Sequence, residues 1–172
     1  TFIAPMRWAS LSANSSARDS ATRKRLAEVQ ASPTFRIFAT IAPDLWRLRD
    51  TNDDGILDWK ESISHGYSVH PSFSGHDMSA LAQGPDGMIY WKIGEIGMNV
   101  VDKTGKRWAH PHTGAVLRSN PDGTDFEVYA YGVRNSFGLA LDPLSGALWD
   151  TENGPGDYDE VNRIDPGVNS GW

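Results

Sequence analysis

Two stretches of the sequence repeat each other, and this repeat constrains the fold more than any other feature. The stretch at residues 75–97 echoes the stretch at residues 132–154, and the matching residues differ in number by 58 before the central turn and by 59 after one inserted residue in it. In each copy a Leu-Ala pair precedes a turn that contains proline and ends in glycine, and an apolar residue followed by an aromatic one comes after it. A repeat of this length with strand–turn–strand content predicts stacked supersecondary units.

Several hairpin patterns follow one another without a helical pattern between them. We predict strands at residues 35–39 and 45–48 and hairpins at residues 81–93, 115–131 and 138–151. The hairpin turns contain Pro-Asp-Gly or Asp-Pro-x-x-Gly, in which proline presets φ and glycine accepts a positive φ. Hairpins at this spacing predict an all-β fold, and we interpret it as a partial β-propeller with about three blades.

The chain divides into a basic first segment and a strand-rich remainder. We interpret residues 1–34 as a poorly defined basic segment with at most one helix, and residues 35–172 as the partial propeller with a loop inserted at 50–61. Because a propeller closes with about 4–8 blades, we interpret the chain as a fragment of a longer protein.

Charge and composition exclude several classes of function. Residues 1–49 carry eight basic and three acidic residues, a net of +5, and residues 50–172 carry eight and nineteen, a net of −11. The net negative charge of residues 50–172 disfavours nucleic acid as a partner and is compatible with cation binding. The sequence has no cysteine, which excludes disulfides, a thiol nucleophile and a cysteine-ligated metal. It also has no apolar run near the roughly 20 residues of a membrane span.

Residues 50–61 fit the twelve-residue calcium-loop pattern position by position, with glycine at the sixth position. Calcium takes 6–8 oxygen ligands, and this spacing wraps them round one point. The predicted ligands are the side chains of Asp50, Asn52, Asp54, Asp58 and Glu61 and the backbone carbonyl of Ile56. A lone loop between strands favours a structural calcium site over a sensor, and the alternative is an Asp/Asn/Gly turn that binds nothing.

A histidine and an arginine occupy the same position in the two copies of the repeat. His76 in the first copy aligns with Arg134 in the second. Equivalent positions of successive blades face one axis, so we expect the two side chains to converge there. A neutral histidine suits the removal of a proton from an alcohol, and Glu95 at the far end of the hairpin is placed to orient the imidazole or to help bind substrate. Taken alone, a histidine in a glycine-flanked turn is more often a structural residue, and it is the equivalent Arg134 that favours a functional role for His76.

A second group of polar residues accompanies the second copy of the repeat. Arg134 and Asn135 offer a planar bidentate cation beside an amide, which suits carboxylates or quinone oxygens. The turn at 152–155 ends in Gly154 and Pro155, whose carbonyls are easily offered to a hard cation. These residues predict an anionic ligand and a cation close to each other.

Taken in order, these motifs resemble the soluble glucose/sorbosone dehydrogenase family. The motifs are Gly75-His76-Asp77, Gly84-Pro85-Asp86-Gly87 with Ile93-Gly94-Glu95, Gly132-x-Arg134-Asn135, Glu152-Asn153-Gly154-Pro155 with Asp159-Glu160-Val161-Asn162, and Asn169-x-Gly171-Trp172. The resemblance covers about residues 36–172. It implies a six-bladed propeller that uses pyrroloquinoline quinone (PQQ) with calcium (Ca2+). The 50–61 loop and the Gly-His-Asp form are closer to a membrane-bound-dehydrogenase branch of the same superfamily.

The resemblance also implies roles for individual residues. His76 matches the catalytic base, and Glu95 stands beside it where the family usually has aspartate. Arg134 and Asn135 match residues that contact the quinone, and Asn153 matches a polar neighbour of the quinone. The backbone carbonyls of Gly154 and Pro155 match calcium ligands.

The function implied is a quinoprotein dehydrogenase that transfers hydride from a sugar or polyol hydroxyl to pyrroloquinoline quinone. A cytochrome or quinone would accept the electrons, and the location would be periplasmic or secreted. An alternative of another class is a non-catalytic calcium-binding propeller that serves as an interaction module. A calcium-dependent lactonase-like hydrolase is disfavoured, because it needs carboxylate and asparagine side chains that converge on one metal.

Overall fold

The structure, a computed structural model, describes residues 37–71, 75–156 and 158–172. The predicted basic segment at 1–34 lies outside the described residues. Within the described ranges the chain forms strands and no helix, which confirms the all-β prediction. No helix in these ranges could therefore cross a membrane. The strands are β1 (Ile37–Ile41), β2 (Asp44–Arg49), β3 (Trp59–His65), β4 (Met78–Gln83), β5 (Ile89–Ile93), β6 (Met98–Val101), β7 (Arg107–His110), β8 (Gly114–Ser119), β9 (Glu127–Val133), β10 (Ser136–Leu141), β11 (Leu148–Glu152) and β12 (Glu160–Ile164).

Strand pairing in the described chain is antiparallel and mostly between sequence neighbours. The sheets have the orders β1-β2-β3, β4-β5-β8-β9, β6-β7 and β10-β11-β12. The β6–β7 hairpin is inserted between β5 and β8. Strand β4 contacts both β1 and β10, so the first strands of the three larger sheets are neighbours.

The three predicted hairpins are present as β4–β5, β8–β9 and β10–β11. Each turn closes with a backbone hydrogen bond from the N–H of its glycine, from Gly87 to Gly84 O (3.0 Å), from Gly123 to Asn120 O (2.8 Å) and from Gly146 to Asp142 O (2.8 Å). Strands β3, β6, β7 and β12 were not predicted. They are short or polar, and in β12 only Ile164 is buried.

The sequence repeat is also a repeat of strand register. In β4–β5, Leu81 pairs with Trp91 after a bulge that follows Ser79. In β10–β11, Leu139 pairs with Asp150 after a bulge that follows Ser136. Each pair of partners occupies equivalent positions in the two copies. The bulges lie one position apart in the repeat, because β4–β5 skips Ala80 while β10–β11 skips Phe137, which aligns with Ser79.

The hydrophobic core lies on both sides of the β4-β5-β8-β9 sheet. Strand β5 is buried along its whole length, and its side chains alternate between the two faces. Trp91 contacts Tyr67 edge-on at a centroid distance of 6.3 Å. The first cluster includes Leu45, Ile63, Tyr67, Ile89, Trp91, Ile93, Met98 and Leu117, and the second consists of Tyr90, Val116, Ala130, Leu148 and Ile164. Sheets packed face to face in this way hold the strand ends in fixed relative positions.

Candidate active site

Four strand ends bring the predicted site residues together. His76 lies two residues before β4 and Arg134 two residues before β10, while Glu95 follows β5 and Asn153 follows β11. Because β4 contacts β10, the hairpins present these residues at one edge of the packed sheets.

Backbone contacts fix the spacing between the two hairpins. The Glu95 N–H donates to the Arg134 carbonyl of the other hairpin at 2.8 Å, and within the β10–β11 hairpin the Asn153 N–H donates to the Asn135 carbonyl at 3.1 Å. Gly94 lies so close to the backbone before β4 and β10 that a Cβ added to it would collide with the His76 carbonyl oxygen. The same Cβ would lie 3.1 Å from the Arg134 carbonyl oxygen. These contacts tie the two copies of the repeat together at the site itself.

His76 and Glu95 form a hydrogen-bonded pair. The His76 Nδ1 lies 2.5 Å from Glu95 Oε1, and the two side chains are 18% and 24% exposed. With the Nδ1 proton donated to the carboxylate, the lone pair of the neutral ring is on Nε2. A carboxylate that holds one ring nitrogen protonated leaves the other as an acceptor for a proton, which is the arrangement of a general base.

The Arg134 guanidinium lies beside this pair. Its Nε is 4.0 Å from Glu95 Oε1, and one terminal nitrogen donates to the carbonyls of Asn153 at 2.8 Å and Gly154 at 3.2 Å. The guanidinium carbon also lies 5.3 Å from the centre of the Trp172 ring. Arg134 is therefore held by carbonyl oxygens and one aromatic ring, with its charge next to the His76–Glu95 pair.

A cleft of about 230 Å³ opens beside Arg134. Its walls include Arg134, Glu152, Gly154, Pro155, Tyr158 and Trp172. The Glu152 carboxylate accepts the backbone N–H of Arg134, and burial raises the pKa of that carboxyl above its ordinary value. The wall of the cleft thus combines one guanidinium with the carboxyl groups of Glu152 and Glu160 and with two aromatic rings.

The residues at this site fit a bound anionic quinone and a cation. Arg134 Nε and Glu95 Oε2 are buried and have no hydrogen-bond partner in the protein, although buried polar groups are normally paired. The carbonyls of Asn153 and Gly154 accept from the Arg134 guanidinium, which is the positive charge that they hold here. Carbonyl oxygens are ligands that calcium prefers.

Residues 50–58 connect β2 to β3, so strands rather than helices flank the predicted calcium loop. Its side chains cap its own backbone: Asp50 accepts the N–H groups of Asn52 and Gly55, and Asp54 accepts that of Ile56. Asp58 accepts both the backbone and the hydroxyl of Thr51. None of the loop residues lines the described cleft.

Glu61, the predicted twelfth ligand, lies in β3, and its carboxylate accepts a hydrogen bond from Arg47 of β2 at 2.5 Å. Strand pairing fixes it there. Among residues 37–71, 75–156 and 158–172, no group of three or more histidines, aspartates and glutamates is placed to hold a metal ion. Calcium in this loop stays a prediction.

The sequence motifs do not identify two residues of the site, Glu152 and Trp172, as functional. The Glu152 carboxylate accepts the backbone N–H of Arg134, and the Trp172 ring lies against the Arg134 guanidinium. Glu152 sits in the second copy of the repeat where Ile93 sits in the first. A charge that replaces a core residue between repeats is the signal that could have identified it.

Comparison with known proteins places this arrangement in a family. Residues 44–172 match the family model for Glucose / Sorbosone dehydrogenase. Quinoprotein glucose dehydrogenase B of Acinetobacter calcoaceticus is 35% identical over 129 residues, which cover 59% of this chain and 27% of that protein. Aldose sugar dehydrogenase YliI of Escherichia coli K12 is 41% identical over 63 residues, which cover 34% of this chain and 17% of that protein. The chain thus spans about a quarter or less of the length of these curated relatives.

Solved structures agree with the sequence matches. An oxidoreductase assigned as a glucose dehydrogenase from Thermus thermophilus superimposes with a TM-score of 0.55 at 30% identity, covering 80% of this chain and 45% of that one. A further glucose dehydrogenase structure gives a TM-score of 0.55 at 26% identity, covering 80% of this chain and 44% of the other.

Proposed function

The chain belongs to the glucose/sorbosone dehydrogenase family, and on that premise we propose that it carries the catalytic base of a sugar or polyol dehydrogenase that uses pyrroloquinoline quinone and calcium. The observation that carries the proposal is the convergence of His76, Glu95 and Arg134 at one edge of the packed sheets. A relative named as a quinoprotein and another named as an aldose sugar dehydrogenase support the same chemistry.

The proposed fold of the whole protein is a six-bladed β-propeller. In this proposal the β1-β2-β3, β4-β5-β8-β9 and β10-β11-β12 sheets are three successive blades, and their first strands face the axis. The contacts of β4 with β1 and β10 support it, as does the register shared by the two repeat copies.

In the proposed reaction His76 acts as general base. Its Nε2 takes the proton of the substrate hydroxyl while the carbon gives up hydride. Glu95, bonded to Nδ1 at 2.5 Å, holds the ring orientation and stabilises the imidazolium that forms. A positioned base of this kind contributes about 10²–10⁴-fold to the rate.

The Arg134 guanidinium and the neighbouring Asn135 are the proposed contacts for the carboxylates and oxygens of the quinone, with Asn153 near it. When bound, the quinone and calcium supply a hydride acceptor polarised by a cation. The Gly154 and Pro155 carbonyls are the proposed calcium ligands. Arg134 would supply fixed positive charge where negative charge develops, at no cost of reorganisation during the reaction.

The proposed substrate is a sugar or another polyol, and the proposed electron acceptor is a cytochrome or a quinone. A periplasmic or secreted location is proposed because free pyrroloquinoline quinone and calcium are met there. The non-catalytic calcium-binding propeller is the weaker candidate, since an interaction module has no need of a partly buried carboxylate–imidazole pair beside a guanidinium.

Dye reduction driven by sugar tests the proposal. The intact protein is loaded with pyrroloquinoline quinone in calcium buffer, and turnover is followed for the wild type, His76→Ala and His65→Ala. His65 is a matched control, because its side chain is 70% exposed and pairs with Asp44 away from the cleft. We expect His76→Ala to lose about 10²–10⁴-fold in turnover and His65→Ala to keep it. Turnover that survives in His76→Ala would remove His76 as the base.

A further inference from the structure

A lysine and an aspartate are buried together between two sheets. Lys92 of β5 and Asp150 of β11 are 1% and 0% exposed, and Lys92 Nζ lies 3.6 Å from Asp150 Oδ2. Charged side chains are almost never fully buried unless they are paired. This pair crosses from the β4-β5-β8-β9 sheet to the β10-β11-β12 sheet.

Further hydrogen bonds extend the pair into a small network. Lys92 Nζ donates to the Gly138 carbonyl at 2.8 Å, and the Ser136 hydroxyl donates to Asp150 Oδ2 at 2.8 Å. The Ser79 hydroxyl of β4 donates to the Ser136 carbonyl at 2.5 Å. The network therefore joins β4 and β5 to β10 and β11 through directional contacts.

The pair is costly as a source of stability. Burial lowers the pKa of Lys92 to about 8, and Asp150 Oδ1 is buried without a hydrogen-bond partner. Replacement of a buried ion pair by apolar residues of similar volume is often neutral or stabilising. What such a pair provides more reliably is a defined geometry, because its hydrogen bonds have one favourable arrangement and an apolar contact has many.

The network lies directly behind the candidate active site. Lys92 is three residues before Glu95, Ser136 is two residues after Arg134, and Asp150 is two residues before Glu152. Glu95 donates its N–H to the Arg134 carbonyl, and Glu152 accepts the Arg134 N–H. A shift between the two hairpins would therefore move Glu95 and His76 relative to Arg134.

We infer that Lys92 and Asp150 are positioning residues, which lock the β4–β5 hairpin to the β10–β11 hairpin and so set the spacing between the His76–Glu95 pair and Arg134. This role rests on the proposed function for its catalytic consequence. The locking itself is a property of the fold and is measurable without any activity.

The test uses the double variant Lys92→Met/Asp150→Leu in the intact protein, with Arg163→Met/Asp165→Leu as the control. The control pair is also an ion pair, at 3.1 Å, but its side chains are 60% and 57% exposed. Hydrogen exchange gives protection factors for the amides of Glu95 and Arg134 and for those of β1 and β2. Turnover and KM are measured in parallel.

We expect the Lys92/Asp150 variant to stay folded and to lose about tenfold in protection at Glu95 and Arg134, with β1 and β2 unchanged. We expect its turnover to fall about tenfold with KM within about twofold, because misplaced reacting groups slow the chemical step. The control should change neither quantity. Unchanged protection at Glu95 and Arg134, or an equal loss throughout the chain, overturns the inference. If the wild type shows no quinone-dependent turnover, the proposed function fails while the exchange result still decides the locking.

Discussion

At the scale of single residues, the chemistry of the site depends on how each charged group near the cleft is paired. Glu95 uses one carboxylate oxygen on the His76 ring, while its other oxygen is buried without a partner. Arg134 uses its terminal nitrogen on two carbonyls, while its Nε is buried without a partner. Each of the two residues therefore keeps one buried polar atom without a hydrogen-bond partner in the protein.

The charge of Glu95 is expected to matter more than its shape. In Glu95→Gln the amide oxygen can still accept the Nδ1 proton of His76, but it cannot stabilise the imidazolium. We expect turnover to fall roughly 100-fold with the fold retained, measured by steady-state dye reduction. Glu127→Gln is the control, since Glu127 pairs with Arg118 in the β8–β9 hairpin. Turnover within twofold of wild type in Glu95→Gln would show that the carboxylate does not assist His76.

Lys92 is expected to make stability depend on pH in the alkaline range. Burial lowers its pKa from 10.5 to about 8. Between these values the unfolded chain holds a proton that the folded chain has lost, so the free energy of unfolding rises with pH in this window. From pH 7.5 to 10 we expect the wild type to gain about 2 kcal/mol relative to Lys92→Met/Asp150→Leu. Urea unfolding at both pH values measures this, and parallel curves for the two proteins would contradict it.

At the scale of strands and turns, the site is held by close backbone packing between hairpins. Gly94 connects β5 to Glu95 and lies against the carbonyls of His76 and Arg134. Its φ is not in the left-handed region, so the requirement for glycine here is one of space.

Gly94→Ala is expected to destabilise the protein and to separate the two hairpins. The added Cβ meets backbone oxygens that cannot move without breaking the Glu95 N–H contact to Arg134. We expect a loss of about 2 kcal/mol or more in the free energy of unfolding. Gly156→Ala is the matched control, because a Cβ there meets nothing within 4 Å. Equal stability of the two variants in urea unfolding would refute the close-packing argument.

The sequence was most informative where a turn has its own chemistry. The β4–β5, β8–β9 and β10–β11 hairpins were predictable because proline and glycine fix their turns locally. The repeat also predicted that His76 and Arg134 occupy equivalent positions. It could not reveal the Glu152 contact to the Arg134 N–H or the Lys92–Asp150 pair, because both depend on how two sheets pack. The loop pattern likewise could not reveal the pairing of Glu61 with Arg47 across β2 and β3.

At the scale of the whole molecule, the chain is a set of antiparallel sheets packed face to face, with its candidate site at the edge where the repeated hairpins meet. The membership in a family of sugar dehydrogenases rests on residues 44–172. The quinone, the calcium and the remaining blades belong to the proposal, and Arg134 is the residue through which they are tested most directly.

Quinone binding is the measurement that tests the central claim. The intact protein is titrated with pyrroloquinoline quinone in calcium buffer, following quinone absorbance, alongside Arg134→Ala and the exposed control Arg163→Ala. We predict saturable binding of one quinone, weakened tenfold or more (about 1.4 kcal/mol) by Arg134→Ala and unchanged by Arg163→Ala. Absence of saturable binding, or equal affinity in wild type and Arg134→Ala, would contradict the account.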